Sequence, residues 1–138
     1  MIGAAHVDFV SVPVRELKRA DEFYGQTLGL PRSPHSGERW VEYDLENVTI
    51  ALISPEAMGP QFLDDFHPNT TPIALRVPDV AEARAQLQAA GVEFRGEVID
   101  SGVCHIAGFH DPDGNALILH RRYAPYGPPT QSAADATS

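Results

Sequence analysis

Hydrophobic and polar positions alternate from Phe9 to Val14, with Val10, Val12 and Val14 on one side and Phe9 and Ser11 on the other. That is the period of a half-buried strand. The period then changes. Leu17, Ala20, Phe23, Tyr24 and Leu28 recur at three- and four-residue spacing, which predicts an amphipathic helix over 17–28 with Gly29 placed to cap its end. WVEYDLENVTIALIS, residues 40–54, contains two alternating runs and predicts a hairpin turning near Glu46-Asn47. One face of this hairpin carries Val41, Tyr43, Leu45, Val48, Ile50 and Leu52; the other carries Trp40, Glu42, Asp44, Thr49, Ala51 and Ile53.

Residues 54–71, with three prolines and a glycine, read as a linker. The pattern then begins again. IALRVPDVAEARAQLQAAGVEF repeats the order strand, proline, helix, glycine: Val12-Pro13 is echoed by Val77-Pro78, and a helix from about Val80 to Ala90 stops at Gly91. VCHIAGFHDPDGNALILHRR is a second hairpin whose turn is Asp111 to Gly114. With Leu30–Ser33 and Phe94–Ile99 as weaker strands, each half is β-α-β-β-β. The expected organisation is a single α+β domain over residues 1–123, with modules at about 7–54 and 72–122 joined by a linker at 55–71. The tail, 124–138, is rich in Pro, Ala, Ser and Thr without apolar period and is expected to be disordered. Each half-sheet buries one face under its helix, which leaves a second face of mixed polar and aromatic residues to line something.

Composition narrows the partners. No apolar run approaches the roughly 20 residues that cross a bilayer, and MIGAAHVDFV lacks the basic start and apolar core of a secretory leader, so a cytoplasmic protein with no membrane partner is expected. The single cysteine, Cys104, excludes an internal disulfide and fits a reducing compartment. A formal net charge of −9 argues against nucleic acid, whose binding requires a basic face. An acidic chain suits a cationic small molecule, although solubility alone also explains the charge.

Two motifs carry a family likeness: V-x-x-L-x-x-A-x-x-F-Y-x-x-x-L-G-L in the first half and F-x-D-P-D-G-N before an alternating strand in the second. Over residues 7–122 the chain resembles the vicinal oxygen chelate superfamily, which includes glyoxalase I, extradiol dioxygenases and the fosfomycin and bleomycin resistance proteins. The resemblance implies two modules forming a curved mixed sheet around a cleft, and it leaves the reaction open. Enzymes of this superfamily hold a divalent metal with His and Glu ligands from the central strands, which polarises substrate oxygens. Anchored on the motifs, the four ligand positions fall on Phe9, Ala51, Pro72 and Ile118, none of which offers a lone pair. His6 lies three residues too early for the first. The resemblance therefore implies no metal and no cofactor, as in the binding proteins of the superfamily.

Strand parity extends the cleft from these positions. It selects Phe9, Ser11, Ala51, Ile118 and His120, with Trp40, Glu42 and Asp44 across the first hairpin, His105 and Phe109 across the second, and Arg76 on the strand between. Aromatic walls with few polar groups suit a planar or partly apolar ligand; Glu42 and Asp44 attract a cation, and Arg76 can clamp a carboxylate. Core packing explains the aromatic residues equally well. His105 and His120 are expected nearly opposite each other, where they could share a proton or hold a metal with Glu42; ordinary hydrogen-bonded strand histidines are the plainer reading. Cys104 is expected to point away from the cleft as an inert thiol. The expected function is thus a metal-independent small-molecule binding protein, working as a homodimer. The alternative is an isomerase, lyase or dioxygenase-like enzyme of the same fold that uses His105, His120 or Glu42.

Overall fold

A computed structural model describes residues 1–126. Two sheets carry the repeat. In the first, β1 (Phe9–Pro13) runs parallel to β3 (Thr49–Ile53), which pairs antiparallel with β2 (Val41–Asp44). In the second, β4 (Ile73–Arg76) runs parallel to β7 (Ala116–Arg122), and β6 (Cys104–His110) and β5 (Phe94–Asp100) follow antiparallel, giving the order β4-β7-β6-β5. The wiring of the two halves is the same, as the echoed strand-proline-helix pattern implies.

The first half is one strand short of its expected set. Leu30–Ser33 makes only a single bridge, Arg32 to Tyr43, flanked by bonds from Ser33 N to Glu42 O (2.8 Å) and from Asp44 N to Pro31 O (2.9 Å). Pro31 has no N–H to return, so the ladder cannot propagate through it. The helix predicted over 17–28 is present but changes character: α1 (Leu17–Asp21) widens into a π-helical segment, Glu22–Thr27, in which Leu28 N reaches back five residues to Phe23 O (2.9 Å). Gly29 ends it at φ 71°, a left-handed conformation that costs glycine nothing. Residues 55–71 contain α2 (Pro55–Met58) and a 3₁₀ turn (Pro60–Leu63), with Arg15 stacked 4.1 Å from the Phe66 ring centre. In the second half α3 (Val80–Ala89) is capped by Asp79, whose carboxylate accepts from Glu82 N. The tail expected to be disordered lies almost wholly outside the described residues.

One core serves both halves. Val12, Val14, Ala20, Tyr24 and Leu52 of the first belong to the same buried cluster as Leu75, Leu87, Phe109, Leu117 and Leu119 of the second. Burial of such side chains yields about 2 kcal/mol each, so the shared core holds the two halves together. The turn between β6 and β7 fastens them. Asp111 Oδ1 accepts from Asp113 N and Asn115 N, while Asp111 Oδ2 accepts from Tyr24 Oη. Asn115 Nδ2 donates to Pro13 O (2.7 Å), and Asp113 takes Arg19 at 2.7 Å. D-P-D-G-N is therefore a buried junction that binds the first half to the second.

With the helix-facing sides of both sheets turned inward, their other sides face outward. Phe9 is 43% exposed, and Ser11, Ala74 and Arg76 are exposed as well. Among the described residues no helix is long and apolar enough to cross a membrane.

Candidate functional site

Register decides which side chains share the outward faces. On the first sheet Glu42 pairs with Ala51, Asp44 with Thr49, and Ser11 with Ala51. These residues, with Phe9 and Trp40, occupy one face, as strand parity predicts. Phe9 and Trp40 meet edge to face with ring centres 5.8 Å apart. The indole N–H of Trp40 donates to Glu42 Oε2 (2.9 Å), which orients both groups. Ala51 lies wholly buried beneath this layer, and Asp44 accepts from Thr49 Oγ1 (2.9 Å).

On the second sheet Ala74 pairs with Ile118 and Arg76 with His120, so these four also share an outward face. The final hairpin departs from expectation. A four-residue turn at Asp111–Gly114 would set His105 against His120, but His110 pairs with Ala116 and Asn115 belongs to the turn. The extra residue shifts β6 by one position and turns every side chain on it over. His105 pairs with Arg121, Ile106 with His120, and Phe109 with Leu117. Phe109 is buried in the core against Phe94 and Phe23 rather than in the cleft. His105 is on the inner side of the sheet, stacked on Tyr123 (4.6 Å) and 3.5 Å from Asp100. Hydrogen bonds from Gly102 N and Tyr123 Oη hold the Asp100 carboxyl below its ordinary range. The proton-sharing His105–His120 pair does not exist.

The same shift brings Cys104, expected to face the helices, onto the outward face opposite Arg122. Arg122 itself was legible in the sequence, since it follows His120 by two residues on the same strand. Cys104, Arg122 and His120 border one small cavity with Arg76.

Where the halves meet, a larger crevice of about 590 Å³ is lined by Asp44 and Leu45 from the β2–β3 hairpin and by Ala74, Arg76 and His120 from the second sheet. Its size suits a small organic molecule. The structure thus gathers Asp44, Arg76 and His120, while Phe9, Ser11, Trp40 and Glu42 form a separate patch. Among the described residues no hydrogen bond, ion pair or aromatic contact joins that patch to Ile118 or His120.

The residues do not fit a divalent metal. Phe9, Ala51, Pro72 and Ile118 offer no donor atom, and Glu42 is engaged by Trp40. Among the described residues no three His, Cys, Asp or Glu side chains are grouped to hold an ion.

Residues 5–119 match the family profile of the Glyoxalase/Bleomycin resistance protein/Dioxygenase superfamily. Two solved structures at 26% identity are similar to the chain. One is a member of that superfamily from Sphaerobacter thermophilus, with TM-score 0.68 over 85% of this chain and 97% of that one. The other is an antibiotic-binding protein from Streptomyces sp. CB03234, with TM-score 0.67 over 88% and 99%. A lactoylglutathione lyase from Agrobacterium tumefaciens, 14% identical, shares the fold at TM-score 0.65 over 85% and 93%. No curated protein matches the chain.

Proposed function

Because the chain belongs to the Glyoxalase/Bleomycin resistance protein/Dioxygenase superfamily, we propose that it uses this fold to bind a small organic molecule without a metal and without turnover. The observation that carries the reading is the substitution of all four ligand positions by Phe9, Ala51, Pro72 and Ile118, beside outward faces that keep shaped aromatic and charged patches. The antibiotic-binding relative of similar identity supports a sequestering role. Phe9 and Trp40 supply apolar contact area, and the Trp40–Glu42 bond fixes the indole in place.

The proposal includes a second copy of the chain. Both faces open to solvent in one chain: Phe9 and Ser11 are exposed on the first sheet, Ala74 and Arg76 on the second. A twofold pairing sets the Phe9–Trp40 patch of one copy beside the Arg76 and His120 face of the other and closes both from water. The ligand would then lie between Trp40 of one protomer and Arg76 of its partner.

The test is a thermal-shift screen of aromatic antibiotics and metabolites on metal-free protein. Hits are followed by calorimetric titration and by mass spectrometry of the recovered compound. Saturable binding with the compound returned unchanged supports the reading; conversion of the compound contradicts it.

A further inference from the structure

We infer that Arg76, His120 and Arg122 form an oxyanion subsite that receives a carboxylate or phosphate on the ligand's body, an assignment that deepens and rests on the binding function proposed above. Register places them. Arg76 and His120 are partners across β4 and β7, and Arg122 is the next residue of β7 on the same face, opposite Cys104. Together they border a cavity of about 290 Å³, walled on its far side by Ala124 and Tyr126.

Two features distinguish this group from scattered surface charge. First, Arg122 is already positioned: its Nε donates to Ala124 O (3.0 Å), and its guanidinium stacks 4.3 Å from the Tyr126 ring centre. The two terminal nitrogens remain to face a ligand, and a planar fork held this way loses little freedom on gripping a carboxylate. Second, the group lacks counter-charge in a chain that has it in excess. The sequence holds 19 acidic residues against 10 lysines and arginines, and Arg15, Arg19, Arg32 and Arg84 each pair with a carboxylate. Among the described residues Lys18, Arg39 and Arg95 are unpaired too, and what sets this group apart is that the unpaired Arg76, Arg121 and Arg122 border one cavity whose lining holds no carboxylate. Arginines bordering one cavity whose lining holds no carboxylate make a site for an anion from outside, with the His120 ring beside them as a further hydrogen-bonding group. Cys104 and the Tyr126 ring give that cavity an apolar wall, which suits an anionic group attached to a ring. Arg76 also lines the larger crevice, so an acid held here can extend its body toward Asp44 and Leu45.

The experiment compares three probes of one shape, benzoate, phenyl phosphate and neutral benzamide, titrated into full-length protein. NMR follows the arginine Nε–H resonances and fluorescence follows Trp40. Benzoate or phenyl phosphate should bind at least about fivefold more tightly than benzamide and shift the Arg122 resonance; the tighter of the two anions identifies the preferred group. Arg76→Gln, at an exposed position, and Arg122→Gln should each remove most of that preference. Lys18→Gln, an equal charge change on α1, should leave it intact. Equal binding of all three probes, or an equal loss in Lys18→Gln, overturns the subsite. The outcomes separate from those of the parent proposal: turnover of a screened compound refutes binding without reaction and leaves the anion preference standing, whereas lost anion preference with retained neutral ligands refutes the subsite alone.

Discussion

Tyr24 Oη donates a 2.7 Å hydrogen bond to Asp111 Oδ2 across 87 positions of sequence, and the pair is buried. It ties the helix of the first half to the D-P-D-G-N turn of the second. Tyr24→Phe leaves that carboxylate oxygen with Asn115 Nδ2 alone and should cost about 1–3 kcal/mol in urea unfolding.

Alkaline pH should weaken the fold through the same residue. Burial first, and the Asp111 carboxylate second, push the Tyr24 phenol far above its ordinary value; burial and the bond to Asp21 do the same for Tyr43. Both are then neutral when folded at a pH where the unfolded chain releases their protons. The stabilisation is complete below about pH 10 and declines above it. The unfolding free energy followed from pH 8 to 11.5 should fall in the wild type, and Tyr24→Phe should reduce the slope.

Asn115 should be the most sensitive polar position of the turn. Its side chain donates to Pro13 O and Asp111 Oδ2 and accepts from Asn69 N, at 2.7–2.8 Å, and it is buried. Asn115→Ala strands three partners and should cost about 3–5 kcal/mol, read as a loss of Tm. A Tm within about 2 °C of wild type, where 1 kcal/mol moves a chain of this size by several degrees, would contradict the role given to the turn.

At the candidate site the expected split is opposite. Phe9 and Trp40 are outside the core, so Phe9→Ala and Trp40→Ala should lower Tm little. Either should weaken binding of a screened ligand about tenfold or more, as loss of an aromatic anchor does at a hot spot. Trp40 is the chain's single tryptophan, so ligand binding should change the fluorescence directly.

How much of this was legible in the sequence differs by element. Period-two alternation found β1, β2, β3 and β7 on the correct faces, because each presents apolar residues to the core at alternate positions: Val12 and Leu52, Val41 and Tyr43, Leu117 and Leu119 are all buried. Strand β6 is CHIAGFH, whose small and mixed residues on both sides leave its parity to the turn. There the decision rested on whether Asn115 belongs to the strand or to the turn. Its side chain is spent on Asp111, Pro13 and Asn69, contacts across the fold that no local pattern reveals. That one residue moved His105 and Phe109 off the candidate site and Cys104 onto it. The outward-facing assembly of the two sheets was likewise invisible locally, since it depends on Phe23 and Tyr24 reaching Phe109 and Asp111 in the other half.

The proposed pairing of chains can be checked by sedimentation equilibrium. A species of twice the 15.0 kDa chain mass is expected. A monomer at micromolar concentration would leave each site one-sided and would contradict the shared cleft.

The proposed function requires that this chain has given up the metal chemistry of its superfamily and kept the fold for binding. Its most direct test is titration of tag-free, metal-depleted protein with zinc, manganese, nickel and iron(II), read by calorimetry and by elemental analysis after gel filtration. No stoichiometric retention of any of the four is expected. Retention of about one ion per chain would contradict that reading and would direct attention to His120 and Cys104, which border one cavity.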